Sequence, residues 1–542
     1  VAVRRLLLLT PGVLAVGVAL LAVTFLSVRT GRTLSYSLGD WPIPLGIVLE
    51  MDGLAWLSTA LVYLLSLVIS LYAVSYREFT PEFYIFYLLL VAGMQGVVLT
   101  TDVFNMFVSF EIIAIAAYVL IAYHRDGAAL VAAYKYLILS SVGIFFFLFG
   151  AFVLYRELGT LAFSEISSLH AATEDPARLG VLRLALASLV VGVGVRTAFI
   201  PFHTWLPEAH AYAPHPVSAL LSGVLIKVSF LAMVRIIRVF DAAIFADLLL
   251  WIGAVTAIVA VVWALSQRDV KKLLAYHSIS QMGYVLAALG AAGALSLPAA
   301  IYHAVNHGLF KSLLFLAVGT AVYLTGERNV YRMPRLGGRV PLLALFFAVG
   351  ALSIAGVPGF NGYASKAVVT AALGDSPAYR LLWLTGIGTV ASFLKLSQIF
   401  GRGKDDGEAS SQPGGEAGTP HAPDTRGTPG RDRLPAAAVV AMAVLAVLCV
   451  ASGLAPGAIA AWLQGILASG SEVVSVSSPL TQEKLIDAGM VIGLGLVLYL
   501  LSRTAVGGRL TRGIESLAPQ LRTVLLFFFA GAVGFAVVAV GA

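Results

Sequence analysis

Cysteine and charge are both scarce in this chain. The single cysteine, Cys449, lies in an apolar run, which excludes a disulfide framework and any cysteine-ligated metal or iron–sulfur centre. There is no Rossmann glycine motif and no flavin signature, so neither a cofactor nor redox chemistry is expected within the chain. Charged residues fill only 12% of the 542 positions, against about 25% in soluble domains. Hydrophobic residues reach 59% and the mean hydropathy is +0.92. The composition predicts an all-α, polytopic membrane protein, to which length rules for soluble domains do not apply. The net charge of +7 does not point to nucleic acid, because the basic residues lie in loops between spans, without aromatic stacking platforms. No cleavable signal peptide is evident, since the first apolar run is long enough to span. The chain begins at Val1 rather than Met, which leaves its natural start open.

Apolar runs of roughly 17–27 residues mark membrane helices. They fall near 6–28, 53–75, 82–100, 102–123, 128–155, 178–199, 215–238, 245–266, 272–294, 298–324, 341–372, 379–400, 435–453, 485–502 and 519–541, fifteen in all. Loops on the N-terminal side of these spans hold twenty Lys and Arg, loops on the other side hold nine, and six lie inside spans. The excess places the N-terminus and the 401–434 loop in the cytoplasm and the C-terminus outside. Segment 401–434 is rich in Gly, Pro, Asp and Ser, which predicts a disordered cytoplasmic linker, with a docking or regulatory segment as the rival. The expected organisation is N-terminal helices over 1–101, one half over 102–266, a second over 267–400, the linker, and C-terminal helices over 435–542.

Two spans look interrupted. In VGVGVRTAFIPFHTWLP, Pro201 and Pro207 follow Arg196; in SIAGVPGFNGYASKAVV, Gly356, Pro358, Gly359 and Gly362 precede Lys366. Proline removes a donor and frees a carbonyl, which a membrane tolerates where the freed groups meet protein or line a cavity. Interruptions in comparable places suggest two inverted repeats of five helices, each with a broken helix and an ion site beside the break. Two ordinary proline kinks are the plainer alternative.

Six basic residues sit inside spans: Lys135, Arg196, Lys227, Lys311, Lys366 and Lys395, with Glu111 in another. A charge at the bilayer centre costs at least roughly 2.5–3.5 kcal/mol, so seven of them suggest a path for protons or small cations. Glu111 needs a nearby cation to stay ionised, and Arg196 and Lys135 are the candidates; a structural ion pair is the rival reading. Lys227 lies mid-span behind Ser218, Ala219, Ser222 and Gly223, too deep to snorkel, and lysine suits proton relay. His303, His307 and Lys311 stand at i, i+4 and i+8, on one helix face. Histidine shuttles protons near neutrality, and with no further ligand nearby, zinc is the weaker reading. His277 reads equally as relay or core histidine. Lys271 and Lys272, at a cytoplasmic helix start, read by default as solvated anchors. Lys395 divides between relay and snorkelling.

The strings FIPFHTWLPEAHAYAPHPVSALLSGVLIK, DVKKLLAYHSISQMGYVL, HAVNHGLFKSLLFLAVG and GVPGFNGYASK span about 196–366. Together they resemble the antiporter-like proton-channel subunits shared by complex I, Mrp-type sodium/proton antiporters and membrane-bound hydrogenases, with the pattern nearest the D-type Mrp subunit and its hydrogenase relatives. The resemblance implies roles. Glu111 matches the essential glutamate, Arg196 its partner lysine on the first broken helix, and Lys227 the central lysine. His303, His307 and Lys311 match the connecting residues, Lys366 the terminal lysine, and Lys271 a lysine implicated in some members. The chain departs from the pattern in three places. Arg196 replaces a lysine and cannot hand on a proton, because arginine does not deprotonate in proteins. The family's usual first helix is missing. The last two spans lie beyond the common core, where they would pack a neighbouring subunit or an insert.

The expected function is proton translocation, with or without coupled sodium, by one subunit of a multisubunit cation/proton antiporter in the plasma membrane. The path would be a hydrated line of Glu111, Lys227, His303, His307, Lys311 and Lys366, with Arg196 as a fixed charge. Expected partners are other membrane subunits, lipids, protons and sodium ions, and no nucleic acid. The rivals are a pumping module of a complex I-like quinone oxidoreductase or hydrogenase, driven by a partner enzyme, and a scaffold with a degenerate channel.

Overall fold

A computed structural model describes residues 8–43, 46–76, 78–240, 245–401, 434–467, 481–516 and 521–541. Five helices start behind an aspartate that closes the first turn. Asp52, Asp102, Asp126, Asp175 and Asp269 accept hydrogen bonds from the amides of Ala55, Asn105, Ala129, Ala177, and Lys271 with Lys272. Each such cap satisfies donors otherwise left open at a helix start, worth about 1 kcal/mol.

The described chain runs through α1 (Leu9–Arg29), a hairpin of β1 (Leu34–Ser37) and β2 (Val48–Met51), α2 (Gly53–Val74) and α3 (Pro81–Leu99). Next come α4 (Val103–Ile121), α5 (Gly127–Leu158), short α6 (Phe163–Ala171), α7 (Pro176–Thr197), α8 (Leu206–Tyr212), α9 (His215–Val239) and α10 (Ala246–Ser266). Then follow α11 (Val270–Leu289), α12 (Ser296–Thr325), α13 (Pro341–Ala355), α14 (Asn361–Leu373) and α15 (Ala378–Ser397). The last are α16 (Ala436–Leu454), α17 (Pro456–Leu467), α18 (Gln482–Ser502), α19 (Ala505–Ser516) and α20 (Leu521–Gly541).

All fifteen expected runs contain helix, and eleven of the described helices are long and apolar enough to cross a membrane. The other four expected spans are α11, the divided pair α13 and α14, α15, and α20. The expected linker lies outside the described residues apart from Gly401 and Leu434.

Burial is graded from centre to rim. The most apolar stretch of α9 is wholly buried and that of α12 nearly so, whereas α18 buries little of itself. A helix buried on all sides cannot place a lysine in water, so the cations of α9 and α12 must find partners inside the protein. Both expected interruptions are present. The first follows α7: Ala198 turns left-handed at φ 59°, Ile200–Pro201 is a cis peptide, and the Trp205 indole donates to the Val195 carbonyl at 2.7 Å. The second separates α13 from α14 at Gly356 (φ 79°) and Gly359 (φ 92°), a backbone route that L side chains rarely take.

The C-terminal helices pack on this chain's own core. A Cβ on Gly495 of α18 would lie 2.5 Å from Val390 Cβ, and the Gln398 amide donates to the Tyr499 hydroxyl at 2.9 Å. On α20, Phe535 lies 6.1 Å from the rings of both Phe199 and Phe202, against the first interruption.

Candidate functional site

At the first interruption, Arg196 is buried at the end of α7 and reaches Glu111 of α4, Nη2 to Oε1 3.4 Å. Its guanidinium also lies 5.0 Å above the Phe110 ring, a cation–π contact. Glu111 is 40% exposed at the flank of the chain. Lys135, the other candidate partner, instead binds Glu208 of α8, Nζ to Oε2 2.7 Å. Glu208 was missed in the sequence: beside Pro207, in a proline-punctuated turn, it reads as an ordinary loop acid. The signal available was its place in WLPEAH, inside the motif string that carries the family resemblance.

Lys227 follows a five-residue π segment, Leu221–Leu225, within α9. A π turn displaces the amide–carbonyl ladder and leaves carbonyls open to side chains. The amides that follow the segment bond the Leu221 and Val224 carbonyls, and the Lys227 ammonium bonds that of Ser222. The Ser222 hydroxyl meets Ser278 of α11 at 2.7 Å, tying the two helices together.

On α12 the expected face is real. The His303 and His307 rings stack with centroids 6.5 Å apart, and Lys311 donates to the Leu274 carbonyl of α11 at 2.5 Å. His303 Nδ1 meets the Ser365 hydroxyl of α14 at 3.0 Å. His307 Nδ1 and Nε2 are buried and bond no described residue. The charges of Lys227 and Lys311 both act on His307.

Lys271 corrects the expectation of a solvated anchor. It is buried and donates to the Ala213 carbonyl at 2.5 Å, at the corner between α8 and α9. Its neighbour Lys272 turns to the Tyr212 ring, 5.6 Å away. His210 of α8, not singled out in the sequence, is fully buried among Lys227, Lys271 and Lys311, and neither ring nitrogen bonds a described residue. The segment WLPEAHAYAPHP gave no periodic signal for it, because α8 spans only seven residues between prolines.

At the second interruption, Lys366 of α14 donates to the Ile354 carbonyl at 2.7 Å and lies 5.2 Å from the Tyr284 ring centre. The freed carbonyl at the end of α13 is thus met by the lysine that follows the break. The Asn306 amide donates to the Asn361 carbonyl at 3.1 Å and fixes the start of α14 on α12. His277 is buried against Phe393 at 5.0 Å, with Lys311, Lys366 and Lys395 acting on it. Lys395 does not snorkel: it is buried and donates to the Leu265 and Gln267 carbonyls, at 2.7 Å each, where α10 ends. A cation at a helix C-terminus satisfies open carbonyls and meets the negative end of the dipole.

The structure therefore brings Lys227, His307, Lys311, Lys271 and His210 together, joins His303 to α14 through Ser365, and pairs Arg196 with Glu111 at the first interruption. Among the described residues, no group of three or more His, Cys, Asp or Glu could hold a metal ion.

Such an arrangement defines a class: a predominantly helical, multi-pass membrane protein organised round buried basic side chains and two interrupted helices. The chain belongs to the NADH:quinone oxidoreductase/Mrp antiporter transmembrane family, whose model matches residues 100–394. It is 34% identical over 454 residues to NADH-quinone oxidoreductase subunit N of Desulforudis audaxviator, covering 82% of this chain and 88% of that protein. It is 29% identical over 391 residues to the D-type subunit of the Na(+)/H(+) antiporter of Bacillus subtilis, covering 70% and 79%. Among solved structures it resembles a chain of the Mrp complex from Dietzia sp. DQ12-45-1b, with a TM-score of 0.74, 25% identity, and 91% and 95% of the two chains covered. A chain of the archaeal membrane-bound sulfane sulfur reductase is as similar, at TM-score 0.74 and 25% identity, covering 90% and 93%.

Proposed function

We propose that this chain is the proton-translocating subunit, with or without coupled sodium, of a multisubunit cation/proton antiporter in the plasma membrane. The observation that carries the reading is the bonding of Lys227, Lys311 and Lys366. Each donates to a neutral main-chain carbonyl, and none forms an ion pair among the described residues. A lysine without a counter-charge is not locked as a cation and can serve in both protonation states. A proton leaving one ammonium leaves an amine behind and makes the imidazole or amine that receives it cationic. The receiving charge then disfavours a second proton nearby, which moves the load onward. His303 and His307 serve as carriers beside the lysines, and Arg196 acts as a fixed charge that biases Glu111.

The exposed flank of Glu111 supports the multisubunit part. A carboxylate facing lipid is costly, so a neighbouring membrane protein of the same complex is the natural cover. The N-terminus and the 401–434 loop are assigned to the cytoplasm on loop charge, and the functional halves to 102–266 and 267–400 on the position of the two interruptions. The test is Lys227→Ala in the assembled complex, read by pH-gradient dyes in vesicles. Transport should fall by at least roughly a hundredfold with subunit levels unchanged; an undiminished gradient would overturn the reading.

The similarity to an NADH-quinone oxidoreductase subunit and to a sulfane sulfur reductase chain favours one second reading, a pump module driven by a redox partner. The path through this chain would be the same. Gradient formation that requires a quinone or sulfur substrate, and co-purification with redox subunits, would select it.

A further inference from the structure

Beside the second interruption lies a cavity of about 680 Å³, walled by α13, α14, α15 and α18, with Tyr284 of α11. Lys366 and Tyr284 line one part, and Asp375, Arg380, Glu483, Lys484 and Asp487 another. One water takes a share of roughly 30 Å³, so the space holds many. The loop-charge assignment puts the end bearing Arg380 and Lys484 outside the cell. On that assignment the cavity would join Lys366 to the outer surface.

One wall, α18, lies beyond the residues that match the family. Its Asp487 turns inward. Oδ1 accepts from the Trp383 indole at 2.7 Å and Oδ2 from the Tyr379 hydroxyl at 3.2 Å, both on α15. No described ion pair neutralises this carboxylate, and its charge reaches Tyr363 on α14. An indole and a phenol can hold a carboxylate in place while leaving its charge intact. An anchored anion on the wall of a cavity that ends on a lysine attracts cations into it and lowers the cost of a hydrated proton there.

We propose that α18 supplies the outer port of the Lys366 site, with Asp487 as its cation-attracting residue. This rests on the translocation reading above and adds to it a component outside the family match. In the transfer, Lys366 gives one proton to water in the cavity and becomes an amine. The resulting hydronium passes Asp487 to the outer surface, by transient protonation of the carboxylate or beside it. The reverse sequence loads the site.

Two measurements on the whole complex test the port. In the first, Asp487→Asn keeps an acceptor for Trp383 and removes the charge. It should slow transport roughly three- to tenfold, the range expected of one partly screened charge, and flatten the dependence on ionic strength. Asp487→Glu should restore the rate, and Trp383→Phe, which loosens the anchor but keeps the charge, should change it little. If Trp383→Phe costs as much as Asp487→Asn, or if Asp487→Asn transports at the parental rate, Asp487 is only a helix pin and the proposal fails. In the second, cysteine is placed at Thr370 or Ala367 on the cavity wall and treated with a membrane-impermeant thiol reagent. The buried Cys449 keeps the background low. Modification from the outer side, with loss of transport, is expected; no modification, or modification from the cytoplasmic side alone, overturns the port. Lys366→Ala separates the two levels. If it transports normally, the translocation reading itself is wrong; if it is inactive while Asp487→Asn is normal, only the port is wrong.

Discussion

The two interrupted helices present the same problem, a basic side chain beside a break in the backbone, and resolve it differently. Arg196 at the first has a carboxylate, Glu111, at 3.4 Å and an aromatic face at 5.0 Å. Lys366 at the second has, among the described residues, a carbonyl at 2.7 Å and a tyrosine ring at 5.2 Å. The difference follows from the cation. A guanidinium is permanently charged, so its burial calls for a counter-ion. An ammonium can shed its proton, so a neutral acceptor suffices. The first break therefore holds a constant charge and the second a switchable one.

The largest expected effect comes from exchanging the two cations. Lys366→Arg keeps the positive charge but fixes it, and should cost transport about a hundredfold or more, the scale of a lost proton-transfer group. Arg196→Lys should retain most of the rate, because Glu111 still faces a cation. Vesicle pH-gradient assays on complexes of matched subunit content decide the matter. Equal losses in the two variants would erase the distinction between constant and switchable sites.

A smaller effect sharpens the first half of the comparison. Glu111→Gln leaves Arg196 buried without its counter-charge. Breaking a wholly buried pair costs about 3–5 kcal/mol, but Glu111 is 40% exposed, so about 1–3 kcal/mol is the appropriate scale. The melting temperature of the complex should fall. Adding Arg196→Met to Glu111→Gln should return most of the stability, since the stranded charge is gone, while transport stays low. A double variant no more stable than the single one would show that the pair does not offset the burial of Arg196.

Much of this contrast is readable in the sequence, and the parts that are not share a cause. The spans follow from apolar runs, and the breaks from Pro201, Pro207 and the Gly356–Gly362 cluster. The α12 face follows from the i, i+4, i+8 spacing of His303, His307 and Lys311. Each of these is a local pattern. Lys271 was misread because two consecutive lysines at a helix start look alike. Only the arrival of the Ala213 carbonyl, 58 positions away in sequence, draws Lys271 inward and leaves Lys272 at the rim. Glu208 and Lys135 meet across 73 positions, and Asp487 meets Trp383 across 104. The short helices α6, α17 and α19 carry no spanning apolar run and so gave no signal. Chemistry carried by residue type and spacing is legible; the choice of partner is tertiary.

The smallest effect tests how rigidly each break is built. A Cβ at Gly362 would lie 1.7 Å from the Ser353 carbonyl oxygen, whereas one at Gly194 would meet the Phe199 ring at 2.8 Å. Both glycines are helical, so replacement by alanine gains about 1 kcal/mol of helix propensity in either place. At Gly194 the obstacle is the far end of a side chain, and a shift of the ring costs about as much as the propensity returns. At Gly362 the obstacle is the backbone that forms the break, and α13 and α14 must separate, at an overpacking cost of about 1–3 kcal/mol or more. Gly194→Ala should therefore leave the melting temperature nearly unchanged, while Gly362→Ala lowers it and, by displacing the Ile354 carbonyl from Lys366, slows transport. Matching behaviour of the two variants would mean that the second break yields as easily as the first, and that Lys366 is not held by the end of α13.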